Sequence, residues 1–143
     1  MSQQFKNHAR YVPLYHLVLY PLLLLTLTAS IINFFGALNR ARHLNIPLIM
    51  VAMSFSLILI AYFARSFSLK SQDRAIRSEE NLRSFVLTGK LLDPRLRISQ
   101  IIALRFASDE EFPGLCREAA EKNLNPKVIK KSIVNWKADN HRV

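Results

Sequence analysis

Residues 46–85 read IPLIMVAMSFSLILIAYFARSFSLKSQDRAIRSEENLRSF. From Ile46 to Ala64 no side chain is charged, and from Arg65 onward acids and bases are interleaved, yet after Pro47 no Gly or Pro interrupts the run. A helix covering a soluble core would show a polar face every 3.6 residues, whereas IPLIMVAMSFSLILIAYF is apolar all round. Asp73 and Arg77, and Glu79 and Arg83, stand four apart with the acid first, and Arg77 and Glu80 stand three apart, spacings that support a helix in water. The expectation is one helix of about 60 Å that leaves a membrane and continues, from Pro47 to Thr88. Gly89 is available to close it as a left-handed cap.

Working toward the N-terminus, residues 11–39 are also uncharged, and PLLLLTLTASIINFFGAL lacks a polar face. Both apolar stretches reach the roughly 17 to 25 residues a membrane-crossing helix requires. The expected architecture is all-α. A transmembrane hairpin (15–38 and 46–64) follows an N-terminal segment (1–14) and turns through a short external connector (39–45). The second helix then extends as a cytoplasmic stalk (65–89) and leads into a module of about three short helices (90–143). A cleaved signal peptide is disfavoured, because the first apolar run exceeds the about 7 to 15 residues of such a region. Tyr11, Tyr15 and Tyr20 are placed as an aromatic belt at the headgroup boundary. Pro21 marks either a kink or the first turn of the span.

Charge sets the orientation. All ten acidic residues lie at or beyond Asp73, and the only charged side chains before Ala64 are Lys6, Arg10, Arg40 and Arg42. Lys6, Arg10, Arg65, Lys70, Arg74 and Arg77 flank the spans on one side, against Arg40 and Arg42 in the connector. Positive-inside bias therefore assigns both termini to the cytoplasm, with Arg65, Lys70, Arg74 and Arg77 as the main orientation determinants.

Along the stalk, Ser68, Ser71, Ala75, Ser78, Leu82 and Phe85 follow a heptad-like spacing that permits a neighbouring helix to approach, so homo-oligomer contact is one reading and a solvated stalk the other. Leu82, Phe85 and Val86 are expected to be covered by the C-terminal segment.

The strings KNHARYVPLYH, SLKSQDRAIRSEENLRSFVLTGKLLDPRL, QIIALRFASDEEF and NPKVIKKSIVNWKADNHRV resemble, together, a family of small bacterial membrane proteins known as a domain of unknown function. The resemblance spans nearly the whole chain and implies a two-span bacterial membrane protein with a helical tail, for which the bacterial cytoplasmic (inner) membrane is the expected location. It implies no activity, cofactor or catalytic residue.

In the tail, Asp93–Pro94 or Ser99 is expected to open a helix over QIIALRFA, and Ser108 with Glu111 matches a capping box. Pro113 is awkward inside that second helix. Asn125–Pro126 opens a third, PKVIKKSIVNWKAD, with Ile129, Ile133 and Trp136 on one face. These residues are expected to pack against Phe112, Leu115, Cys116 and Ala119, with a headgroup-anchored Trp136 as the alternative. Cys116 is read as a packed thiol.

The chain has three glycines and no phosphate-cradling loop, and it lacks H-E-x-x-H, C-x-x-C and G-x-S-x-G patterns. His8, His16, His43 and His141 have no metal-ligand spacing, and Asp109, Glu110 and Glu111 are read as helix-start acids. No catalytic residue, cofactor or metal is assigned.

The net charge is +10, with sixteen Lys and Arg against ten Asp and Glu from Arg65 onward. Lys127, Lys130, Lys131 and Lys137 form the candidate interaction surface, facing anionic lipid headgroups or a membrane or cytoplasmic protein. The leading reading is a non-enzymatic membrane anchor that presents this basic module. A membrane-tethered nucleic-acid regulator ranks second, disfavoured because the basic excess is interleaved with acid, and an enzyme ranks third.

Overall fold

A computed structural model describes residues 12–138. The sequence features assigned to Lys6, His8, Arg10, Tyr11 and His141, and to the termini, lie outside the described residues. The described chain is helical, with α1 at Tyr20–Asn39, α2 at Asn45–Thr88, α3 at Ile98–Leu104, α4 at Phe112–Glu121 and α5 at Pro126–Ser132. It divides into two compact units, one ending at Phe67 and one starting at Ser68.

In the first unit, α1 is preceded by a π-helical run, Leu14–Leu19, that closes with the Tyr20 N–H donating to the Tyr15 carbonyl. The widened turn stops just before Pro21, which has no N–H to place in a helical ladder. Pro21 thus sits in the first turn of α1, one of the two roles its sequence context allowed. The connector turns through Ala41, at φ +47°.

The two helices run antiparallel and meet through small residues. The Ser30 and Ser54 hydroxyls lie 3.1 Å apart and are buried, and each donates back into its own helix, to Thr26 and Met50 respectively. Tyr15 donates its phenol proton to the Ala61 carbonyl at 2.9 Å, which pins the other end of the pair. Most remaining side chains face outward, among them Leu14, Leu25, Ile32, Phe35, Ile46, Met53, Phe55 and Ile60. Both helices are long and apolar enough to cross a membrane.

The uninterrupted α2 ends as its sequence requires. Gly89 adopts φ +72° and donates to the Phe85 carbonyl at 2.8 Å, while Ser84 reaches forward to the Lys90 carbonyl at 2.9 Å. The helical ion pairs differ from those expected. Arg83 joins Glu80 at 3.0 Å and not Glu79, and among the described residues Arg77 forms no ion pair with Asp73 or Glu80.

The second unit has one core, formed by Leu96, Ile101, Ala103, Leu104, Phe106, Ala107, Phe112, Ala119, Ile129 and Ile133 together with Ile76 of α2. The expected packing of Ile129 and Ile133 with Phe112, Leu115, Cys116 and Ala119 is present. The face of α2 that enters the core is not the expected one. Ile76, Glu80 and Ser84 are buried, whereas Leu82, Phe85 and Val86 remain exposed. The reason is polar. Arg83 and Ser84 donate hydrogen bonds to the tail and Asn81 accepts one from the Leu92 N–H, and those bonds fix the rotation of the helix against it.

Two of the three tail-helix starts also differ from expectation. Asp93 and Pro94 form a turn, in which the Asp93 carboxylate accepts from the Arg95 backbone and guanidinium, and α3 begins later with the Arg97 N–H donating to the Gln100 side chain. Glu111 gives α4 no side-chain cap, and Pro113 lies in its first turn, where a missing N–H costs nothing. Asn125 caps α5 as expected, accepting from Lys127 N–H at 2.9 Å.

α5 stops at Ser132, and Trp136 is not on it. Ile133 is extended, and an antiparallel bridge pairs Ala107 with Trp136, with Ser108 donating to Asn135 and Lys137 donating to Phe106. The Glu111 carboxylate captures the Val134 and Asn135 N–H groups, which a continued helix would have used internally. Trp136 still packs on the core, 5.1 Å from the Phe106 ring centre, so the core reading of this residue holds although its helical placement fails.

Candidate functional site

Among the described residues, a dense side-chain constellation is centred on Arg83. Its position on α2 is fixed by Glu80 one turn earlier, whose carboxylate accepts from Nη1. Nε donates to Asp109 at 2.8 Å, Nη2 donates to the Ala107 carbonyl at 2.7 Å, and the guanidinium carbon lies 4.3 Å from the Phe112 ring centre. A planar fork with five donors suits this mixture of carboxylate, carbonyl and aromatic neighbours. Burial pushes the Glu80 carboxyl up, and Arg83 opposes that rise without cancelling it. Arg83 holds Asp109 below its ordinary value.

This arrangement accounts for two members of the acidic cluster. Asp109 anchors Arg83 and lies 3.8 Å from Lys137, and Glu111 holds the backbone of the C-terminal segment. Both carboxylates are engaged in joining elements. Cys116 is partly covered, and burial pushes its thiol up to about 12, as befits a packed thiol. Among the described residues no three His, Cys, Asp or Glu side chains gather as metal ligands.

The four candidate lysines divide. Lys127 and Lys131 are exposed one turn apart on α5, and Lys130 lies over the Phe106 ring at 5.6 Å from its centre. Lys137 belongs to the extended segment beyond α5, near Asp109. Arg105 joins this basic neighbourhood, with its guanidinium 4.8 Å from the same Phe106 ring. Sequence reasoning missed Arg105 because its place depends on the chain returning past Phe106. Of the orientation determinants, Arg65 lies over the Tyr15 ring at 5.8 Å, and Lys70, Arg74 and Arg77 are exposed on α2.

These features define an all-helical protein that joins a long apolar helix pair to a small basic module. The chain belongs to a family of unknown function, DUF6526, which it matches over residues 1–143. No curated protein and no solved structure matches it.

Proposed function

We propose that this protein is a non-enzymatic integral membrane protein whose helical hairpin anchors a basic module at the cytoplasmic face of the bacterial inner membrane. The observation that carries this reading is the outward apolar surface of α1 and the first half of α2. Only 11% and 17% of the two most apolar windows is buried within the chain, so a core role would leave that surface in water. A hydrocarbon solvent resolves the cost, and both helices satisfy their backbone bonds internally.

The module supplies the second half of the function. Lys127 and Lys131 are exposed on α5, with Lys130 and Lys137 at the edges, and each cation held at an anionic leaflet contributes about 1 kcal/mol. The surface serves as a contact for anionic headgroups and for a protein partner at the membrane. The decisive experiment is a pair of topology reporters. A fusion after Val143 should be active only as a cytoplasmic reporter and an insertion at Arg42 only as an external one, whereas release of the chain from membranes by alkaline wash would refute the anchor. Replacing Lys127, Lys130, Lys131 and Lys137 by Gln should weaken binding to vesicles containing phosphatidylglycerol and leave the topology unchanged.

A further inference from the structure

The face of α2 opposite the module is open. Ile76, Glu80 and Ser84 turn into the core at 6%, 8% and 7% exposure, while Leu82, Phe85 and Val86 stand out at 64%, 54% and 74%. On a helix advancing 3.6 residues per turn, Leu82 and Glu80 point about 160° apart, so the module does not cover this seam. Above it the same seam continues through Ser78, Ala75, Ser71 and Ser68, all exposed, in alternating steps of three and four.

We propose that a second copy of this chain occupies this seam, as a parallel, in-register two-helix contact along α2 from Ser68 to Val86. Charge complementarity selects the occupant. With Ser71, Ala75, Ser78 and Leu82 at the contact, Arg74 and Glu79 flank it on opposite sides, five residues apart. A parallel pair brings each residue flanking one edge beside the residue five further on in the other copy, so Arg74 meets Glu79 of the other copy, and twofold symmetry forms the pair twice. Both side chains are exposed, and among the described residues neither forms an ion pair within its own chain. The small residues let the backbones approach, and Leu82, Phe85 and Val86 provide the apolar area.

The inference rests on the membrane-anchored reading, because two copies inserted with one orientation carry α2 in the same direction. Antiparallel pairing, which would lose the Arg74–Glu79 match, is thereby excluded.

The test uses the full-length chain in its native membrane, with Cys116→Ala removing the endogenous thiol. Single cysteines replace Ser71, Ala75, Ser78 or Leu82 on the seam, and Lys70 or Arg77 off it, before treatment with a short bis-maleimide. Covalent dimer should form at the seam positions and stay at background at Lys70 and Arg77. Arg74→Glu should reduce the dimer about threefold by placing like charges together, and adding Glu79→Arg should restore it. Equal cross-linking on and off the seam, none on the seam, or failure of the charge swap to rescue would each overturn the proposal. Seam cysteines shielded from maleimide without forming dimer would also overturn it, assigning the face to a different protein. Alkaline extraction of the same membranes reports the anchor separately: a chain retained in the pellet without dimer refutes only the pairing, and a released chain refutes the anchor.

Discussion

Arg83→Met should strongly destabilise the module. The Arg83 and Glu80 side chains are each 11% exposed, so the variant leaves a carboxylate in a poorly hydrated place without its cation. Breaking a buried pair in this way costs about 3–5 kcal/mol. The Asp109 end adds under about 1 kcal/mol, because that carboxylate is 54% exposed and water replaces the lost partner. A unit of roughly 70 residues has a total stability of about 4–10 kcal/mol, so the loss is about a third of it or more.

The single tryptophan, Trp136, lies in the module and provides the signal. Urea titration of the full chain in a mild detergent should show a midpoint lowered by roughly 3–5 M, or no cooperative transition, with a slope of about 1 kcal/mol per M.

The pH dependence follows from Glu80. Its folded pKa is raised above the ordinary value, so its contribution is fully present below the unfolded pKa and is lost as pH rises through the folded one. Without Arg83 to oppose burial, that pKa rises further and the window extends upward. The deficit of the variant should therefore shrink as the pH is lowered from neutral toward the ordinary carboxylate range. Pairing it with Glu80→Met removes the orphaned charge and should recover most of the loss. A cost under about 1 kcal/mol, or a double variant no more stable than Arg83→Met, would refute the argument.

Trp136→Ala should cost about 2 kcal/mol, less than a fully buried ring because the residue is only partly covered, with loss of cooperativity read by circular dichroism. Gly89→Ala should cost about 1 kcal/mol by forcing a Cβ into φ +72°, seen as a lower urea midpoint. Cys116, with its thiol pushed up to about 12, should resist a thiol reagent at pH about 8 in the folded chain and react at once in urea; fast labelling of the native protein would contradict the packed assignment.

Much of the architecture was legible because it depends on local chemistry. An apolar run without a polar face, Gly89 placed after Thr88, and Asn125 followed by Pro126 each specify a helix or its end from neighbouring residues alone. The module was legible in composition but less so in detail. Part of its core was identifiable as the apolar face of α4 and α5, yet the share from Leu96 to Ala107 was not, and neither was the end of α5, because Glu111, more than twenty residues earlier, takes the N–H groups that would have extended it.

The face of α2 was the clearest division between the two levels. The sequence by itself determined a helix from Pro47 to Thr88, which the structure extends back to Asn45, with a first half apolar all round and a charged second half. It favoured Leu82 and Phe85 as the buried side, since hydrophobicity is what periodicity detects. Only the tertiary structure decided that Ile76, Glu80 and Ser84 turn inward and that the apolar seam is left facing out. The physical reason is that rotation about the helix axis is set by directed bonds, donated by Arg83 to Asp109 and Ala107 and by Ser84 to Lys90 and accepted by Asn81 from the Leu92 N–H, all made with segments that periodicity in α2 cannot see.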